Sequence, residues 1–145
     1  MKEKLFIDSD IILDVLMERE QFYESAAGIF DLGIAKEVNL FTTAVVLANV
    51  FYFIRKKYGI ENSKELLRRL RLFINILSIE EKIVDLALNS KFGDFEDGLQ
   101  YFSGKEHSIG VLITRNVRDY KEKDIPIQTA DEYMKSKPEP HGTHG

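Results

Sequence analysis

"KLFIDSDIILDVL", residues 4–16, turns from an apolar run to acid within one residue. Leu5, Phe6 and Ile7 are continuous rather than alternating, the pattern of a strand buried on both faces of a parallel sheet. The strand is expected at 5–8, with Asp8 as its last residue. Ile12, Leu13, Leu16 and Met17 then recur at helical spacing, which predicts a helix over 9–19 with Ser9 as its N-cap. Asp10 and Asp14 lie on that helix. Carboxylates at close range repel, so the acids either spread into water or are neutralised. Asp14 is expected on a solvated face. Asp8 is different, because a carboxylate fixed to a buried strand end is costly unless hydrogen-bonded or bound.

The remaining chain alternates in the same way. Helices are expected at 23–37, 44–58, 62–77, 79–92 and 94–107, and strands at 38–43, near 76–79 and at 109–114. A last short strand and helical turn follow at 125–135. Strands alternating with helices predict an α/β fold, a single three-layer domain with a central parallel β-sheet flanked by helices. Its expected span is 1–135, with a Pro/Gly/His-rich disordered tail at 136–145 whose His141 and His144 are no catalytic candidates. No run approaches the ~20 apolar residues needed to cross a bilayer, and the acidic start does not read as a signal peptide. With no cysteine, disulfides and thiolate metal sites are excluded, and a cytoplasmic protein is expected. The net charge of −4 excludes nucleic-acid binding by bulk charge, so such binding needs a local basic patch or metal ions.

In parallel sheets the working site lies beyond the carboxyl ends of the strands. Three acidic groups can meet there: Asp8 with Asp10, then Asp94, Glu96 and Asp97, then Asn116 with Asp119 after "VLIT". Such carboxylates cannot all stay ionised together without a cation. Oxygen ligands without Cys or His suit Mg²⁺ or Mn²⁺, and such an ion can support phosphodiester hydrolysis. Plainer roles stand beside this one. Asp94 is a natural N-cap, Glu96 favours the helix dipole and points about 100° away from Asp97, and Gly98 leaves room beside Asp97.

"LFIDSDIILDVL", "TTAVVLANVFYFIRKKYG", "FEDGLQYFS" and "VLITRNVRDY" occur in an order that resembles the PIN-domain family over residues 4–133. That resemblance implies a PIN-like fold and a metal-dependent ribonuclease, with Mg²⁺ or Mn²⁺ as cofactor, RNA as substrate and, for a toxin, an antitoxin protein covering the acidic groove. It puts Asp8 and Asp97 on the metal, with Asp10 and Asp94 as further ligands and Asn49, Asn116 and Asp119 completing or positioning the site. Asn49 stands where many members have Glu, and Asn116 where many have Asp, so a weakened site or a non-cleaving RNA- or protein-binding module is the alternative reading.

For RNA phosphates, Arg55, Lys56 and Lys57 end one helix; Lys64, Arg68 and Arg71 share a face of the next, and Arg115 follows the strand at 109–114. The plainer role for these is a solvated helix face. The apolar helix 44–54 predicts a homodimer. A rival resemblance joins "FIDSDII" and "GDFED" (93–97) to haloacid-dehalogenase-type phosphohydrolases, with Asp8 as nucleophile and Asp10 as general acid/base. That family places the late motif after a buried strand.

Overall fold

The computed structural model describes residues 2–137. Its centre is a five-stranded parallel sheet in the order β3-β2-β1-β4-β5. The strands are β1 Lys4–Ile7, β2 Asn39–Thr43, β3 Ile74–Leu77, β4 Val111–Ile113 and β5 Ile127–Gln128. Phe6 faces Phe41 on one side and Leu112 on the other, so β1 is central and fully paired. Its Leu5, Phe6 and Ile7 are completely buried, as are Leu112 and Ile113 of β4. This two-sided burial is why both strands read as unbroken apolar runs.

Helices α1 Ser9–Leu16, α2 Tyr23–Ile34, α3 Ala44–Tyr58 and α4 Ile60–Leu70 make the first two crossovers. Helices α5 Glu81–Leu88 and α6 Phe95–Glu106 make the return from β3 to β4, and α7 Ala130–Ser136 closes the described chain. Right-handed crossovers put α1 to α4 on one face and α5 and α6 on the other; α7 packs on α2 with the first group. The chain leaves β1 toward β2 on one side and reaches β4 on the other. The crevice between the carboxyl ends of β1 and β4 is therefore the switch point, where ligands bind in such sheets.

Two helix ends differ from the sequence expectation for one shared reason. The expected helices at 9–19 and 23–37 stop early, at Leu16 and Ile34. Glu18 (φ 48°) and Lys36 (φ 63°) take the left-handed conformation. Arg19 N–H then reaches Asp14 O while Glu18 N–H reaches Val15 O, and Glu37 and Lys36 repeat this on Leu32 and Gly33. Ser108 (φ 59°) closes α6 in the same way. These are Schellman stops made without glycine, so the usual signal is missing. Asp8, not Ser9, is the N-cap of α1, and its side chain accepts from Ser9 N–H. The helix expected at 62–77 is α4 followed by β3 at 74–77. Of the tail expected at 136–145, Ser136 belongs to α7 and everything past Lys137 lies outside the described residues.

Candidate metal centre

Asp8 lies at the carboxyl end of β1, 5% exposed. Its Oδ1 accepts from Ser9 N–H at 2.7 Å. Its Oδ2 lies 2.9 Å from the Thr114 hydroxyl and 3.1 Å from the Tyr120 hydroxyl, both donors from segments across the switch point. Burial pushes the Asp8 carboxyl up, and the Ser9 N–H and the two hydroxyls pull it partly back. Tyr120 is fully buried; burial, then the charge of Asp8, holds its phenol well above its ordinary value, so it stays a donor. Its hydroxyl also lies 3.4 Å from Gln100 Oε1 on α6.

Asp10, in the first turn of α1, is held by the loop after β4. Its Oδ2 accepts from Arg115 N–H at 3.0 Å and from the Asn116 amide at 3.1 Å, with the Thr114 hydroxyl at 3.4 Å. Its Oδ1 is buried with no hydrogen-bond partner among the described residues. Burial, then the charge of Asp8, pushes Asp10 up to about 7.

Across the crevice, α6 starts at Asp94, whose side chain caps the helix by accepting from Asp97 N–H at 3.0 Å. Asp97 is half-buried, and burial followed by the charges of Asp94, Asp8, Asp119 and Glu96 pushes it up to about 7. The expected room beside it at Gly98 is taken: a Cβ there would stand 3.1 Å from Ala87 Cβ, so Gly98 serves the packing of α5 on α6. Glu96 does more than favour the dipole. Both its carboxylate oxygens accept from the Asn49 amide of α3, at 3.0 and 2.6 Å.

Asp14 corrects the sequence reading. It is fully buried rather than solvated, and its two oxygens meet Arg115 Nε at 3.0 Å and Arg19 Nη1 at 3.5 Å. The Arg115 guanidinium stacks 4.1 Å from the Phe22 ring centroid. The structure thus brings Asp8, Asp10, Asp94, Glu96, Asp97, Asn116 and Asp119 to one edge and ties Arg115 to Asp14. Arg71 donates to Ile74 O at the start of β3, the opposite edge of the sheet, and Arg68 pairs with Glu65. Arg55, Lys56, Lys57 and Lys64 are exposed. Asn49 is also exposed, two to three turns before the basic end of α3. Sequence reading missed Tyr120 and Gln100. One available signal was Tyr120 itself, a lone aromatic within the charged run "RDYKEKD" (118–124).

Among the described residues, no three acidic side chains form a ready cation cage. The donor chemistry nonetheless fits a hard divalent ion: every candidate ligand is a carboxylate or amide oxygen, and Asp10 keeps an unpartnered buried oxygen. The "GDFED" stretch follows α5 rather than a strand, so the chain lacks the order that the haloacid-dehalogenase resemblance requires.

A parallel sheet with acids gathered at its switch point defines a family, and the sequence match agrees: the chain belongs to the PIN domain family, with residues 4–118 matched. It is 27% identical over 139 residues to a ribonuclease, VapC1 of Aquifex aeolicus, covering 90% of this chain and 93% of that one. It is similar in fold to a chain of the VapBC2 complex of Rickettsia felis bound to a promoter DNA fragment (TM-score 0.66, 15% identity, 87% of this chain and 98% of that one). A toxin–antitoxin complex from Klebsiella pneumoniae gives a TM-score of 0.66 at 17% identity, covering 87% of this chain and 97% of that one.

Proposed function

We propose that this PIN domain is a divalent-metal-dependent endoribonuclease of the toxin type, working in the cytoplasm. The observation that carries the reading is Asp8, a buried carboxylate at the switch point near Asp97, with no cationic side chain among the described residues paired to either. The match to a ribonuclease over 93% of that protein's length supports it.

Asp8 and Asp97 would hold the metal, Mg²⁺ or Mn²⁺, with Asp10 and Asp94 beside them. Bound there, the ion supplies Lewis-acid polarisation of phosphate and an activated water. The chain's own residues prepare the place. Tyr120 and Thr114 fix the Asp8 carboxylate through their hydroxyls. Asn116 and Arg115 N–H orient Asp10. Asp119 adds negative charge near Asp97. Exposed Arg55, Lys56, Lys57 and Lys64 would meet RNA phosphates away from the acids. The neighbouring toxin–antitoxin complexes support an antitoxin partner, and half-exposed Tyr52 and Phe53 on α3 support a homodimer.

The test is incubation of wild type and Asp8→Asn with a mixed RNA pool and Mn²⁺. Cleavage by wild type only is expected; cleavage persisting in the variant sinks the reading. The amides at 49 and 116 favour a second reading, a PIN domain that binds RNA or a peptide without cutting it. Calorimetry separates the two: absence of Mn²⁺ heat dependent on Asp8 and Asp97 selects the second.

A further inference from the structure

The acids of this molecule divide by what they touch. Asp14, Glu65, Glu106, Asp124 and Asp131 each pair with a lysine or arginine. Among the described residues, none of Asp8, Asp10, Asp94, Glu96, Asp97 and Asp119 does. Within that unpaired group Glu96 alone is held by a side chain from α3. Asn49 directs its NH₂ at both Glu96 oxygens, 3.0 and 2.6 Å away. An amide must present its nitrogen to accomplish this, so the contact fixes the amide's orientation as well.

Stability gives little reason for such an arrangement. Hydrogen bonds between exposed side chains contribute about 1 kcal/mol or less. This one keeps a carboxylate beside Asp94 and Asp97, where it is repelled, when it could turn to solvent. The buried Asp10 Oδ1, without a partner, is a separate sign on the same edge that a group from outside is expected there.

We infer that Glu96, aimed by Asn49 from the opposite helical layer, is a carboxylate ligand of the divalent cation, and that Asn49 is its positioning residue. This rests on the metal-dependent reading above. Carboxylate charge enters the centre from α6, at the neighbour of Asp97, while α3 contributes only the amide that steers it.

The experiment is Mn²⁺ titration of the chelated full chain, followed by calorimetry and by the free-Mn²⁺ electron paramagnetic resonance signal. Glu96→Gln keeps an acceptor for Asn49 but loses the charge. It is expected to weaken Mn²⁺ binding tenfold or more, with the melting temperature of the metal-free protein unchanged. Asn49→Ala frees Glu96 and is expected to weaken binding about threefold. The double variant Asn49→Glu with Glu96→Gln returns the charge from α3 and is expected to recover affinity to within about threefold of wild type. Glu96→Gln that binds Mn²⁺ like wild type, while Asp8→Asn does not, overturns the assignment and leaves Glu96 a strut between two helices. Wild type that binds no Mn²⁺ overturns both this inference and the reading beneath it.

Discussion

Asp10 and Asp14 are one helical turn apart on the same face of α1, and they meet opposite fates. Asp14 is neutralised by two arginines of its own chain, at 3.0 and 3.5 Å. Asp10 receives only neutral donors, and one of its oxygens receives nothing. Burial raises both carboxyls, but at Asp14 the arginines oppose it, whereas at Asp10 the charge of Asp8 adds to it. Buried carboxylates require a partner. Asp14 has an internal partner and belongs to the scaffold; Asp10, like Asp8 and Asp97, has no cationic partner among the described residues, which is what the metal-dependent reading requires.

The sharpest way to break this contrast is to remove charge from the unpaired acids. Asp8→Asn or Asp97→Asn is expected to lower RNA cleavage on the order of a hundredfold or more, while metal-free stability holds or rises, since a costly buried charge is gone. Activity on a defined RNA and thermal melting in chelator check both halves. Removing charge from the paired acid does the reverse. Asp14→Ala leaves Arg115 and Arg19 without their partner and is expected to destabilise by about 2–3 kcal/mol. That is below the ~3–5 kcal/mol of a fully buried pair, because both arginine side chains are 30% exposed; urea denaturation reads it.

Protons probe the same difference. Asp10 and Asp97 titrate near about 7 in the folded chain, against roughly 4 unfolded. The folded state therefore binds extra protons between those values. The stability they give is complete below about 4 and is lost as pH rises through about 7. The melting temperature of the metal-free protein is expected to fall between pH 5 and pH 8, and Mn²⁺ to restore more at pH 8 than at pH 5. A flat profile in chelator would show that neither carboxyl is perturbed. A smaller effect comes from Tyr120→Phe, which deletes one donor to Asp8 and is expected to cost about 1 kcal/mol and a few-fold in Mn²⁺ affinity. The smallest is Ser108→Gly, which relieves a left-handed serine and should stabilise by about 1 kcal/mol or less, seen as a slightly higher melting temperature.

The sheet was legible because β1 and β4 are buried on both faces, so "LFI" and "VLI" need no context. Helix α3 was legible to the residue because Thr43 caps it and Gly59 stops it. The ends of α1 and α2 were not, since Glu18 and Lys36 take the left-handed conformation that glycine usually supplies. Asp8, Asp10 and Asp97 could be picked out because acids at strand and helix ends have positional meaning. The partners of Asp14 and Glu96 could not. Arg115 is 101 residues from Asp14 and Asn49 is 47 from Glu96, and no periodicity spans such separations.

The two hydroxyls on Asp8 set its denticity. A carboxylate has about four lone-pair positions, two on each oxygen. On Oδ2, Thr114 and Tyr120 fill both. On Oδ1, Ser9 N–H fills one with a short bond, and the Ser9 hydroxyl, at 3.5 Å, barely competes for the other. Asp8 is thus a one-handed carboxylate: if it holds a cation as proposed, Oδ1 would be the free hand, and other groups would have to supply the rest of the ligands.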